Sequence, residues 1–291
     1  MQADTFAPLF TDWEIPPAVT ATLVAVAAIY IRGWFQIRRT RPEQFPAWRL
    51  YCFLGGIVSL FIAVASPLDT FSESLLFMHM AQHYVFMSLA PPLIAFGAPV
   101  VPMLRGLPRW MVRRVLGPLF RTHTLHRIGQ FLTRPRVAWL AFNVMFLGWH
   151  VPAAYELALS SENWHNFEHG CFFFASLLFW WPILEPWPFR LRVSRWTLVP
   201  YLLLADFVNT GLSAFLCFAG RLVYPSYGDI VPRPFGISAL DDQVAAGALM
   251  WVLGSIVFLI PAMAILINLL SSGNKRRRKS PQPRLSAQAR P

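Results

Sequence analysis

Two pairs of histidines, His79 with His83 and His165 with His169, each stand four residues apart. That spacing puts both imidazoles of a pair on one face of a helix. Paired imidazoles suit a transition metal: imidazole binds Zn, Cu, Fe and Ni, and thioether sulfur favours Cu(I). Met78, Met80 and Met87 flank the first pair, and Met87 continues its face. Taken singly, a buried His or Met more often bonds a neighbouring helix or fills a gap. Two pairs with the same spacing favour metal or haem over that reading. His165–His169 also spells H-x-x-E-H, the inverted zinc-protease pattern, in which two His hold Zn and Glu168 is the general base. A simpler role for Glu168 is to orient an imidazole.

The elements that must position these residues follow from composition. The chain has 291 residues, 56% of them hydrophobic and 13% charged. Soluble domains carry about 25% charged residues, so this is an all-α polytopic membrane protein. Such a composition excludes a disordered chain, a nucleic-acid-binding tail protein and a soluble enzyme, and 3 Cys exclude a disulfide scaffold. Seven apolar segments are long enough to span: Pro17–Ile37, Trp48–Ala65, Phe71–Phe96, Val137–Tyr155, His165–Leu184, Leu198–Ala219 and Val244–Leu270. They divide the chain into a segment 1–16, a transmembrane domain 17–270 and a basic tail 271–291. No cleavable signal peptide is visible, because the first residues are acidic rather than basic.

Charge sets the orientation. All but three of the 25 Lys and Arg fall in alternate connections and the tail, the third connection (Arg105–Arg136) holding eight of them. By the positive-inside rule the N-terminus is outside and the C-terminus cytoplasmic. Eleven of the 14 acidic residues then fall outside. The basic run Lys275–Lys279 directly follows a span and reads as a cytoplasmic anchor, not a nucleic-acid patch. Pro108–Arg136 interleaves arginines with Trp110, Val115, Leu119 and Phe120, which suggests short interfacial helices on anionic membrane lipid.

This orientation places the two pairs together. The third span enters from outside, putting His79 ~10 Å and His83 ~18 Å along it at 1.5 Å per residue. His165 and His169 open the fifth span from the same side. His150 ends the fourth span outside, and Asp242 begins the seventh there, with Met250 eight residues deeper on nearly the same face. Five His, one Asp and several Met from four spans thus share the outer half of the membrane. His123 and His126, in the cytoplasmic connection, have an ordinary surface role.

Other polar groups are few. Asp206 and Asn209, three apart in the sixth span, form an interhelical hydrogen-bond pair or line a polar path. Cys52, Cys171 and Cys217 are too separated for a CxxC site and read as small buried hydrophobes. Pro91–Pro92 should kink the third span, or end its regular part, just below the histidine face. No P-loop, dinucleotide fingerprint or G-x-S-x-G is present.

The segments HMAQHYVFMSLAPPLIAFGAP (His79–Pro99), GWHVPAAYELAL (Gly148–Leu159), WHNFEHGCFFFASLLFWWP (Trp164–Pro182), VYPSYG (Val223–Gly228) and DDQVAAGALMW (Asp241–Trp251) follow one another in order. In them the chain resembles the CtaG family of integral-membrane cytochrome c oxidase assembly factors. The resemblance covers most of residues 50–270. It implies a bacterial plasma (inner) membrane protein needed to assemble haem–copper oxidase, with cytochrome c oxidase subunits as partners and copper delivery as its role. It carries the family's motif positions onto His79, His83, His150, His165 and His169, and its Asp-Gln pair onto Asp242 and Gln243.

Residues and resemblance together give an expected site of His79, His83, His150, His165, His169, Asp242, Met87 and Met250, holding copper as Cu(I) without catalysis. His79 and His83 would form its deep part. The alternatives are a Zn-dependent intramembrane hydrolase using Glu168, a haem protein with axial His, and a metal-free assembly scaffold.

Overall fold

The structure is a computed structural model that describes residues 13–189, 193–228, 230 and 233–279, by backbone alone from residue 272. Most of segment 1–16, Arg190, Arg192, Asp229 and the end of the tail with Arg284 and Arg290 lie outside the described residues. Every described element is helical. Helix α1 is Pro17–Arg38 and α2 Ala47–Ala65; a short α3, Pro67–Ser72, precedes α4, Leu76–Tyr84. A π turn, Val85–Leu89, joins α4 to α5, Ala90–Phe96, and α6 is Val100–Gly106. Short turns lead to α7, His123–Leu132, then α8, Pro135–Trp149, and α9, Pro152–Leu159. The chain continues through α10, Glu162–Leu184, α11, Arg195–Phe218, and α12, Ala239–Lys279.

Five helices (α1, α2, α10, α11 and α12) are each long and apolar enough to cross a membrane. Two more spans result if each bent pair counts as one: Leu76–Phe96 with α6, bent by 70°, and α8 with α9, bent by 74°. The fourth span, expected over Val137–Tyr155, is thus made of two pieces. His150 and Val151 break it, and Pro152, with no N–H to give, starts a new helix in the position where that lack costs nothing. Aromatic side chains such as Phe207 (75% exposed) and Phe218 (77% exposed) point away from the protein, an arrangement stable only against lipid. The final helix also runs on past the last apolar residue into the basic segment, as far as Lys279.

The bundle closes where small residues let backbones touch. A Cβ on Gly33 of α1 would stand 1.8 Å from the Pro102 carbonyl oxygen, and one on Gly106 of α6 1.8 Å from that of Ile29. Close approach of this kind replaces the hydrophobic drive that helices lack inside lipid. Helices α11 and α12 pair along their length. Asn209 donates to the Met250 carbonyl (3.1 Å), and a Cβ on Gly254 would collide with the Asn209 amide. Asp206 bonds Ser255, so Asp206 and Asn209 both tie α11 to α12. The three cysteines are free and half-buried, rather than fully buried as expected.

Pro91 and Pro92 act as anticipated on α4. They bring no N–H to the carbonyls of the preceding turn, and regular α geometry stops at Tyr84. The Met87 carbonyl accepts instead from the Ser176 hydroxyl and from the Trp180 indole of α10 (3.4 Å). Inside a membrane such a carbonyl must find a donor within the protein. The proline pair thereby fastens α4 to α10, the two helices that carry the histidine pairs.

Candidate metal centre

The site is built at the end of the bundle where the first turns of α4, α10 and α12 meet the last turn of α8. One helical turn brings His79, Gln82 and His83 to the buried side of α4, and another brings His165, Glu168 and His169 to the facing side of α10. The rings are packed edge to face or tilted. Centroids are 4.2 Å apart for His79–His83 and for His165–His169, 5.2 Å for His79–His165 and 5.3 Å for His83–His169. His150, at the break after α8, adds a fifth ring 6.4 Å from His83. Glu168 is fully buried, with its Oε2 3.7 Å from His83 Nε2.

One potential ligand atom from each of His79, His83, His165 and Glu168 lies within 4.8 Å of all the others. Their hydrogen bonding is informative. Nε2 of His79, His83, His150, His165 and His169 is buried without a partner, and so are both oxygens of Glu168. Leaving one such group unsatisfied costs about 1–3 kcal/mol, and an ion or ordered water would satisfy the cluster. Two of the imidazoles are oriented from behind. His150 Nδ1 lies 2.6 Å from the Phe146 carbonyl, and an N–H there leaves Nε2 with a free lone pair. His79 Nδ1 meets the Tyr227 hydroxyl at 3.2 Å. A converging set of imidazoles and one carboxyl group is of the kind that can hold a first-row transition ion.

The loop between α11 and α12 covers this end. Tyr227 also bonds the Ser72 carbonyl (2.9 Å) and the Tyr155 hydroxyl (3.2 Å), and Tyr224 donates to the His150 carbonyl (3.0 Å). Glu156 accepts from the backbone and hydroxyl of Ser226. Arg233 donates to the Tyr227 carbonyl and, at 2.8 Å, to Asp242.

The profile of the cytochrome c oxidase caa3 assembly factors (Caa3_CtaG) matches residues 28–272, which include every one of these side chains. The chain belongs to that family. Among curated proteins it is similar to uncharacterized proteins of Mycobacterium bovis and Mycobacterium tuberculosis, each 26% identical over 96% of this chain and 42% of the relative. A Mycobacterium leprae protein is 26% identical over 62% of this chain and 28% of its own length. The chain thus spans under half the length of the curated relatives it matches. No solved structure matches it.

Within this chain the five expected histidines come together, and Glu168 joins them among the nearest groups. Met87 and Met250 are both buried and line a cavity with His83 and His150. Asp242 has a different job from the one expected. It lies outside the converging group, and its carboxylate accepts from the Leu76 N–H (2.8 Å) and the Phe77 N–H (3.0 Å) as well as from Arg233, so it caps α4. Gln243 fastens the covering loop, accepting from the Val223 N–H (2.7 Å) and donating to the Leu216 and Arg221 carbonyls.

Sequence reasoning missed Tyr227, Tyr155, Arg233 and the nearness of Glu168 to three imidazoles. Two signals pointed there. VYPSYG is one of the family's motifs, and Arg233 is one of only two cations expected on the outer side, close in sequence to an acidic pair.

Proposed function

We propose that this chain binds copper at His79, His83, His165 and Glu168 and hands it to cytochrome c oxidase during its assembly. His150 and His169 flank the site as alternative ligands for entry and exit. The observation that carries the reading is the convergence of unpartnered, buried Nε2 atoms and carboxylate oxygens within 4.8 Å of one another. Family membership supports cytochrome c oxidase as the acceptor and a non-catalytic role. Charge asymmetry supports a bacterial plasma-membrane location with the N-terminus outside, the C-terminus cytoplasmic and the cluster in the outer half. Ring-to-ring packing at 4.2–5.3 Å supports an ion over haem, because a porphyrin plane has no gap between these imidazoles.

Several adjacent imidazoles suit transfer. An ion can exchange one ligand for the next without being released into water, and the oxidase can take it by the same ligand exchange. The test is the metal content and optical spectrum of the detergent-purified protein, beside a His79→Ala/His83→Ala variant. Copper bound by the parent and lost from the variant, with loss of oxidase activity in cells, is the expected result. Zinc with copper absent would turn the reading to a hydrolase that uses Glu168, and a Soret band to a haem protein. No metal after copper loading would leave an assembly scaffold.

A further inference from the structure

Below the histidine cluster lies an internal cavity of about 20 Å³, room for one water-sized occupant. His83, His150, Met80, Met87 and Met250 line it, Met87 one turn further along the chain than His83. All five side chains are at least nine-tenths buried. Neither ring nitrogen of His83 has a hydrogen-bond partner, and Nε2 of His150 has none. The other walls include Phe142, Phe146 and Phe258, and no carboxylate lines the space.

These features select an ion by charge and softness. The cost of burying an ion in low dielectric rises with the square of its charge, and this cavity offers no anion to offset a divalent cation. Thioethers are soft ligands that favour Cu(I), and imidazole accepts it as well. The cluster above differs, holding the carboxylate of Glu168 among three imidazoles. His83 belongs to both, facing Glu168 on one side and lining the cavity on the other.

We infer that Met80, Met87 and Met250, with His150 and His83, form a second and deeper site for a soft monovalent ion, Cu(I), distinct from the histidine–glutamate cluster. The identity of the ion rests on the copper reading above; the site itself rests on the cavity. With His83 shared, a monovalent ion passes between the two sites by ligand exchange, without a change in oxidation state.

The test is an anaerobic Cu(I) titration of the purified full chain against bicinchoninate, with copper X-ray absorption on the loaded protein. Met→Leu nearly conserves volume, so the Met80→Leu/Met87→Leu/Met250→Leu variant should keep its fold. Its elution profile and melting temperature check this, and the single variants Met87→Leu and Met250→Leu stand in if it fails. The parent should bind two equivalents with sulfur in the coordination sphere. The triple leucine variant should lose one equivalent and the sulfur signal, and each single variant should lower the number of sulfur ligands and the affinity for that equivalent. A His79→Ala/His165→Ala variant should keep the sulfur-bound equivalent. Sulfur-free copper in the parent, unchanged stoichiometry in the triple variant, or unchanged sulfur ligation and affinity in the single variants would overturn the deeper site. Loss of the sulfur-bound equivalent in the His79/His165 variant would overturn its independence. A parent that binds only the sulfur-ligated ion would sink the histidine–glutamate reading and leave the deeper site standing.

Discussion

Asp242→Asn should be among the most damaging near-isosteric changes in this chain. The carboxylate is fully buried and accepts three bonds: two from backbone N–H groups that open α4 and one from Arg233. Asparagine keeps one acceptor oxygen and turns an NH₂ toward donors. Breaking a buried ion pair from one side costs about 3–5 kcal/mol, because the remaining charge stays buried. Loss of the negative charge at the α4 N-terminus adds ~0.3–1 kcal/mol. Arg233 keeps its bonds to the Tyr227 and Ile237 carbonyls and is slightly exposed, which favours the low end. A loss near 3 kcal/mol corresponds to a melting shift of roughly 6 °C at about 2 °C per kcal/mol for a chain of this size. The assay is a fluorescence melt of the detergent-purified protein at a fixed scan rate, with Arg233→Met and the double variant completing a cycle. Arg233→Met should cost less, since Asp242 retains both backbone donors, and the two changes should be non-additive by about 1 kcal/mol or more. A shift under ~2 °C for Asp242→Asn, or strict additivity, would refute the capping argument.

Other outcomes follow from contacts around the site. Tyr227→Phe removes the hydroxyl beside His79 Nδ1 and should weaken metal affinity about 10–100-fold, read by chelator competition, with the His79 ring still in place. Gly33→Ala or Gly106→Ala forces a methyl against a carbonyl of the facing helix and should cost at least ~1–3 kcal/mol in the same melt, whereas Gly129→Ala, with open space around it, should cost little. Burial pushes the Asp69 carboxyl above its usual value, against the opposing bond from Gln82. Its folded pKa therefore exceeds its unfolded one, so this group costs stability as pH rises from the ordinary aspartate range through the raised value. Asp69→Asn, which keeps the acceptor for Gln82, should flatten that part of the stability–pH curve; an unchanged curve would contradict the burial argument.

The spans were legible because lipid demands long apolar runs, and loop charge grouped the five histidines at one end before any coordinate was known. A break in the third span just below the histidine face was legible for a similar local reason, two prolines with no N–H to give; that it takes the form of a π turn at Val85–Leu89 was not. What escaped the sequence were relations between distant segments. Asp242 was read as a ligand because an acid at the mouth of a histidine cluster fits a metal as well as it fits a helix cap. Only the positions of the Leu76 and Phe77 N–H groups separate the two. Glu168 was visible inside H-x-x-E-H, but its approach to His79 and His83 depends on how α4 packs on α10. Tyr227 sits in a connection without periodicity, where no pattern says which side chain turns inward. The break at His150–Val151 was masked because apolar residues continue across it.

The cap on α4 also fixes an order of events in biosynthesis. Asp242 is 166 residues downstream of Leu76, and Tyr227 is 148 downstream of His79. At about 5–20 residues per second, the ribosome needs roughly 10–30 s after making α4 before the residue that caps it exists. For that interval the histidine helix sits in the translocon or membrane with an open first turn and unaimed imidazoles. The histidine-bearing end of the molecule is therefore the last part to mature, and a chain truncated before α12 would insert its first spans yet lack the cap that orders the first histidine pair.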